Sequence, residues 1–364
     1  MPFLSHGGNS LRYERAGTGL PMLFIHGLMA NHTFWDRQAD LRKHFQVLRM
    51  DLRGHGDSSK PRGSYAMATL ATDVEHLVGA LGLQRCVLVG WSMGGMVALE
   101  SVRLLGDKVA GLVLVGTTPC PAAADGKPAG FTPAEQQEHL TSVDSDYKTF
   151  ARDLAGRLFH TEQTGLVQWA TQQLLRTPPY VAKAALEGLF AADRRDMLGA
   201  LAMPTLICHG RHDTVFPFAT AEYVHRAIRG SELVAFDDSG HAPPIEETAR
   251  FNEALVAFAD RVLGKAPAAR PAASTAAAEP AAGGGKTRQA ETQAPAPAQA
   301  RAETPASRRS EPKGSRTGPA PKDSGTSKAT AGATRAKPSP RPSAKSPTKS
   351  PAKGPRTSRS PKKP

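Results

Sequence analysis

Short apolar runs recur along the chain at Met22–His26, Phe45–Asp51, Cys86–Gly90, Gly111–Val115, Thr205–His209 and Glu232–Phe236. Each is rich in Val, Leu or Ile without clean apolar–polar alternation, the pattern of a strand buried on both faces. Between them the apolar spacing changes to three and four, which predicts helices at Phe34–His44, Leu70–Leu81, Met93–Leu104, Phe218–Ile228 and Glu246–Val262. In the last, Phe251, Leu255, Phe258 and Val262 form one stripe that should face a core. Strands alternating with helices imply an α/β protein with a mostly parallel sheet and helices on both faces. Phe3–Ser5 with Leu11–Arg15 reads as an antiparallel hairpin at the sheet edge.

The rhythm breaks between Thr117 and Ala202. That stretch opens on Pro119, Pro121, Gly126, Pro128 and Gly130, then turns helical through Phe190 without a strand-like run. It lies between two predicted strands, so an inserted helical lid is expected, approximately residues 118–202. Its place is the C-terminal edge of the sheet, where open parallel sheets bind ligands.

Composition divides the chain near Gly264. Residues 265–364 have no Phe, Tyr or Trp and hold 17 of the 30 prolines. They carry 21 Lys and Arg against 5 Asp and Glu, net +16, which leaves residues 1–264 slightly acidic at −3. Residues 1–264 suffice for one large core. Residues 265–364 cannot bury enough apolar surface to offset their backbone entropy and are expected to be a disordered basic tail. Ser346-Pro347-Thr348-Lys349, Ser350-Pro351-Ala352-Lys353 and Ser360-Pro361-Lys362-Lys363 repeat one pattern, and the composition resembles linker-histone tails. Such a chain can follow nucleic acid or another polyanion, tolerant of sequence and sensitive to salt. A solubilising appendage is the simpler reading.

The three cysteines, Cys86, Cys120 and Cys208, show no metal-type spacing. Cys86 and Cys208 sit in apolar runs and read as small buried hydrophobes, and a reducing, cytoplasmic setting is expected. The N-terminus lacks the pattern of a signal peptide, and no run approaches the roughly 18 apolar residues of a membrane span.

Chemistry concentrates after the strands. Gly90-Trp91-Ser92-Met93-Gly94 joins an apolar run to a helical one. A serine between glycines at a strand-to-helix turn is a nucleophile elbow: the strained turn exposes the hydroxyl and aims the next N–H at a reacting carbonyl. A serine hydroxyl needs a histidine to take its proton and a carboxylate to hold that histidine. Asp213 follows the strand Thr205–His209, and His241 follows Glu232–Phe236. Asp237 and Asp238 are rival acids, but they lie in the histidine loop itself. Backbone N–H groups of Leu28 and Met93 are the expected oxyanion donors, Leu28 because Gly27 permits a sharp turn after the strand ending at His26. His26 reads as structural, and so does the turn Asp51-Leu52-Arg53-Gly54-His55-Gly56-Asp57-Ser58. His209, His212 and Asp213 have the look of a metal cluster, but no further ligand set has suitable spacing. No metal or cofactor is expected. His32, His44, His76, His139, His160 and His225 read as surface or lid residues.

Together, His26-Gly27, Asp51-x-Arg53-Gly54-x-Gly56-x-Ser58, the Ser92 elbow, Asp213 and Ser239-Gly240-His241 resemble the α/β-hydrolase superfamily over about residues 10–263. Gly90 to Gly95, Thr118-Pro119-Cys120 and His241-Ala242-Pro243 further resemble the pimeloyl-carrier-protein methyl ester esterases, although their Trp after His-Gly is Leu28 here. Enol-lactonases and cofactor-free haloperoxidase-type esterases share most of the other motifs. The resemblance implies an α/β-hydrolase fold and a serine esterase acting on a carboxylic ester, such as a methyl ester or lactone, through an acyl-serine. C–C bond hydrolysis and perhydrolysis are the alternatives within the fold, and polyanion binding through the tail is the non-enzymatic one. Substrates would be small esters or acyl groups, including one borne on an acyl carrier protein. Trp91, Phe131, Phe150 and Phe159, with Leu154 and Leu189, are candidates for the pocket lining or for lid core. Lys148, Arg152, Arg157, Arg176, Arg194 and Arg195 would attract an acidic carrier, or simply form a solvated face.

Overall fold

The computed structural model describes residues 2–123, 130–161 and 163–264. The expectations for residues 265–364, and for residues 124–129 at the start of the insertion, lie outside the described residues.

In chain order the strands are β1 (Phe3–His6), β2 (Asn9–Ala16), β3 (Pro21–Ile25), β4 (Gln46–Met50), β5 (Cys86–Trp91), β6 (Val109–Val115), β7 (Thr205–Gly210) and β8 (Glu232–Phe236). They form one sheet of order β1-β2-β4-β3-β5-β6-β7-β8. β1 and β2 pair antiparallel, as do β2 and β4, and every later pairing is parallel. Each predicted strand is present, with its ends moved by no more than two residues at most positions.

The period of two along the strands sorts their side chains between two cores. Met22, Phe24, Val87, Val89, Val113 and Val115 share one core with Phe251, Leu255 and Phe258 of the C-terminal helix. Leu23, Ile25, Leu88, Leu112 and Leu114 share the other with helices α1 (Met67–Ala80) and α2 (Met93–Leu105). Both faces are covered, which is why the central strands read as unbroken apolar runs.

Two predicted helices differ in form. The segment expected as a helix over Phe34–His44 is a run of 3₁₀ turns from His32 to Lys43. His32, Trp35, Gln38 and Leu41 are buried at intervals of three, the period of a 3₁₀ helix and not of an α-helix. The helix expected over Glu246–Val262 is two pieces, described below as α8 and α9.

Between β6 and β7 the described residues form four α-helices and no strand: α3 (Pro133–Ser145), α4 (Tyr147–Gly156), α5 (Thr164–Leu174) and α6 (Pro179–Phe190). α3 starts at a capping box in which Thr132 and Glu135 satisfy each other's backbone N–H groups. After β7 come α7 (Ala219–Ala227), and after β8 come α8 (Pro243–Glu246) and α9 (Thr248–Val262). The backbone leaves the helical region at Glu247, with φ −116° and ψ 53°. No helix among the described residues is long and apolar enough to cross a membrane.

Candidate active site

The turns after β3, β5, β7 and β8 all lie at the C-terminal edge of the parallel sheet, and the sequence-predicted residues gather there. Ser92 follows β5 with φ 56° and ψ −122°, a left-handed conformation that costs a non-glycine residue about 1–3 kcal/mol. Its surroundings hold it there. The Ser92 N–H donates to the Val115 carbonyl at 2.9 Å, and the Thr117 hydroxyl donates to the Ser92 carbonyl at 2.7 Å. The flanking glycines make the turn sterically feasible: a Cβ on Gly90 would sit 2.4 Å from the Gly94 carbonyl oxygen, and one on Gly94 would sit 2.3 Å from that of Ile25.

Asp213 and His241 are both buried. His241 Nδ1 lies 2.8 Å from Asp213 Oδ2, while Asp213 Oδ1 accepts the N–H groups of Val215 at 2.8 Å and Phe216 at 2.9 Å. Burial pushes the Asp213 carboxyl upward. The charge of His241 and hydrogen bonds from His209 and His241 outweigh it and hold the group well below the usual carboxylate range. With Nδ1 on the carboxylate, Nε2 is the ring atom left for proton transfer.

The rival acids are engaged elsewhere. Asp237 is exposed and pairs with Arg211 at 2.6 Å and Arg250 at 3.1 Å. Asp238 is also exposed. Its N–H and the Ser239 hydroxyl donate to Glu247 Oε2 at 3.1 and 2.6 Å, and Gly240 N–H donates to Glu246 Oε2 at 2.8 Å. Two glutamates at the α8–α9 break therefore brace the histidine loop. From the other side, the Trp91 indole N–H donates to the His241 carbonyl at 2.8 Å.

Leu28 stands in the turn after β3, and Met93 is the first residue of α2, where an N–H has no intrahelical acceptor. Neither N–H makes a hydrogen bond among the described residues. His26 is structural, as expected: its Nε2 accepts the Leu52 N–H at 3.0 Å and its Nδ1 lies 2.8 Å from the Gly27 carbonyl. The turn after β4 is likewise internally braced, with Asp51 accepting the N–H groups of His32 at 2.7 Å and Asp57 at 2.8 Å. His32, Asp51 and Asp57 have metal-type spacing, but these bonds already occupy the Asp51 carboxylate. The imagined cluster at His209 and His212 divides: His209 is fully buried, whereas His212 is exposed and stacks on His160 at 3.6 Å between ring centres.

Ser92 and His241 line one cavity, with about 620 Å³ of empty space when the open solvent at its mouth is included. Of the residues proposed for the pocket, Trp91, Phe131, Phe150, Leu154 and Leu189 line it, together with Gly27 and Leu28. Phe159 does not line the cavity. It packs into the core, while its neighbour Leu158, in the turn after α4, lines the cavity with Phe150 and Leu154 of that helix. Sequence reasoning missed His139, Leu174, Leu186, Phe190, Val215 and Phe216, which also line the wall. His139 was expected at the surface or in the lid. Its ring meets Phe131, Phe150 and Phe190 edge-on, and its Nδ1 lies 2.6 Å from the Glu135 carbonyl. The only local signal for it was helical spacing within α3.

Residues 21–248 match the family model for the α/β hydrolase fold. The chain belongs to the α/β-hydrolase family. The AB hydrolase superfamily protein YisY of Bacillus subtilis is 32% identical over 256 residues, covering 69% of this chain and 96% of that protein. A pimeloyl-[acyl-carrier protein] methyl ester esterase of Nitrosomonas europaea is 30% identical, over 64% of this chain and 93% of its own. Among solved structures, an esterase from Exiguobacterium antarcticum superposes with a TM-score of 0.68 at 30% identity, over 70% of this chain and 98% of its own. These esterase relatives support a carboxylic ester hydrolase on this fold.

Proposed function

We propose that this α/β hydrolase cleaves a small carboxylic ester through an acyl intermediate on Ser92. The observation that carries the reading is the buried His241–Asp213 contact of 2.8 Å at a cavity that Ser92 also lines. In this reading His241 Nε2 takes the Ser92 proton as Oγ attacks the carbonyl carbon. Asp213 fixes the imidazole tautomer and stabilises its cationic form. The Leu28 and Met93 N–H groups hold the oxyanion, each donor being worth about 3 kcal/mol of barrier. His241 then protonates the departing alcohol, and water activated by the same nitrogen releases the acid. Residues 1–264 would supply all of this chemistry without a cofactor.

Apart from His139 and Arg157, the wall beyond Ser92 is aliphatic and aromatic, which suits an apolar acyl chain bearing a methyl ester, another simple alcohol or a lactone. Delivery on an acyl carrier protein has support from the Nitrosomonas relative's name. Most of the lid cations are engaged: Arg152, Arg176, Arg194 and Arg195 pair with Asp153, Asp57, Glu100 and Asp193, whereas Lys148 is exposed and Arg157 lines the cavity while donating to the Thr214 carbonyl. A free small-molecule ester is the preferred substrate class.

The test is a panel of p-nitrophenyl esters, methyl esters, lactones, thioesters and C–C diketones with the full-length chain and Ser92→Ala. Ester or lactone turnover lost in Ser92→Ala is the expected result. Equal rates for the two proteins would contradict the reading, and turnover of diketones alone would favour the C–C hydrolase. The +16 charge of residues 265–364 favours a second, separate property, salt-sensitive retention on a polyanion. Retention on DNA that survives deletion of those residues would refute it.

A further inference from the structure

His209 sits near the end of β7, four residues before Asp213, with its ring fully buried. The assumed reaction gives it no part. Its Nε2 lies 2.7 Å from the Phe216 carbonyl oxygen and 3.1 Å from Asp213 Oδ2. That carboxylate oxygen is the one facing His241 Nδ1 at 2.8 Å. His209 Nδ1 has no hydrogen-bond partner among the described residues. Two oxygens at Nε2 and none at Nδ1 place the ring proton on Nε2.

We propose that His209 is a positioning residue that shares the Asp213 carboxylate oxygen with His241 and so sets how strongly Asp213 supports positive charge on His241. This rests on the Ser92–His241–Asp213 reading. A donor on Oδ2 draws electron density from the oxygen that His241 depends on, which weakens the support given to an imidazolium. It also pins the carboxylate from a third side, the Val215 and Phe216 N–H groups holding Oδ1. The carboxylate can then neither rotate away from His241 nor over-stabilise its charged form, which must give up its proton to the leaving group. A purely structural His209 would serve only the Phe216 carbonyl.

Other charged groups packed around this trio are engaged with the backbone or at the surface. Arg157 of the lid donates to the Thr214 carbonyl at 2.7 Å. Glu246 of α8 accepts the N–H groups of His160 at 2.6 Å and Gly240 at 2.8 Å. Arg211 pairs with Asp237, and the stacked rings of His160 and His212 lie outside at the surface.

The experiment is the pH dependence of kcat/KM for a p-nitrophenyl ester, measured on full-length wild type, His209→Phe, His209→Gln and Ser92→Ala. Phe keeps the ring volume and removes the donor; Gln restores an N–H. The acid limb of the profile should move upward by about half a pH unit or more in His209→Phe and return toward wild type in His209→Gln. An acid limb that stays in place in His209→Phe, whatever the loss in rate, overturns the proposal. Activity in Ser92→Ala would instead overturn the triad reading, so the two failures are distinguishable. If His209→Phe does not fold, ¹⁵N-histidine spectra of the wild type decide. His209 protonated at Nε2, with a proton shift that follows the titration of His241, supports the proposal. An Nδ1–H tautomer, or a shift indifferent to that titration, overturns it.

Discussion

Replacing Asp213 by Asn removes one charge and leaves the shape of the site almost unchanged, so its effect isolates the role of the acid. The two N–H groups of Val215 and Phe216, at 2.8 and 2.9 Å from Oδ1, decide how the amide will sit. Turning the NH₂ toward them would forfeit two buried hydrogen bonds, about 1 kcal/mol each before the cost of stranding the donors. Two donors outweigh the one His209 Nε2–H at 3.1 Å from Oδ2, so the amide oxygen takes the Oδ1 place, and the NH₂ takes the Oδ2 place, 2.8 Å from His241 Nδ1. An N–H donated to Nδ1 drives the imidazole proton to Nε2, the atom that must accept the Ser92 proton. With the wrong tautomer at the base, kcat should fall by about 10⁴-fold at neutral pH, about 5.4 kcal/mol of barrier. KM should change little, because Asp213 does not line the cavity. Stopped or continuous p-nitrophenyl ester kinetics with the purified variant give both constants. A loss of less than about tenfold, in a variant with a wild-type melting curve, would refute the assignment of Asp213 as the acid.

Three further outcomes follow from other parts of the structure. Gly94→Ala places a Cβ 2.3 Å from the Ile25 carbonyl oxygen and 2.5 Å from that of His26, so it should cost about 1–3 kcal/mol or more and lower Tm; an unchanged Tm would mean the elbow does not pack against β3 this closely. Leu186→Trp fills part of the apolar wall and should shift the preferred p-nitrophenyl ester toward shorter acyl chains, with an unchanged chain-length profile placing the acyl group elsewhere. Burial holds His26 at about 4 and His55 at about 3, below the ordinary 6.5. Their folded pKa values are depressed, so their contribution is complete above pH 6.5 and drains as pH falls toward those values. Urea unfolding at pH 7 and pH 5 should differ by about 2 kcal/mol for each histidine, and equal stabilities at the two pH values would count against burial of neutral rings.

Much of the fold was legible because the central strands are buried on both faces and carry no competing signal. Cys86–Val89 and Gly111–Val115 could be read as strands from a few residues each. The order Ser92, Asp213, His241 was legible because each residue stands in the turn that follows a predicted strand. The run from His32 to Lys43 was harder, since its apolar residues fit a helix while four of its five buried residues, all but Phe34, repeat every three. The insertion was read only as helical. Which of Leu158 and Phe159 faces the cavity depends on the turn that follows α4, and no local pattern records that geometry. His139 and His209 show the same limit. One becomes a wall residue and the other a neighbour of the acid only when segments distant in the chain, or a turn of specific geometry, bring partners to them.

The central claim, a covalent acyl group on Ser92, is tested most directly by trapping it. Full-length protein treated with a fluorophosphonate, or acid-quenched during turnover of a p-nitrophenyl ester, is digested and its peptides weighed. The account predicts a single adduct on the peptide that contains Ser92, with neither adduct nor ester turnover above background in Ser92→Ala. Turnover by Ser92→Ala at the wild-type rate, or an adduct formed on another residue of the active protein, would contradict it.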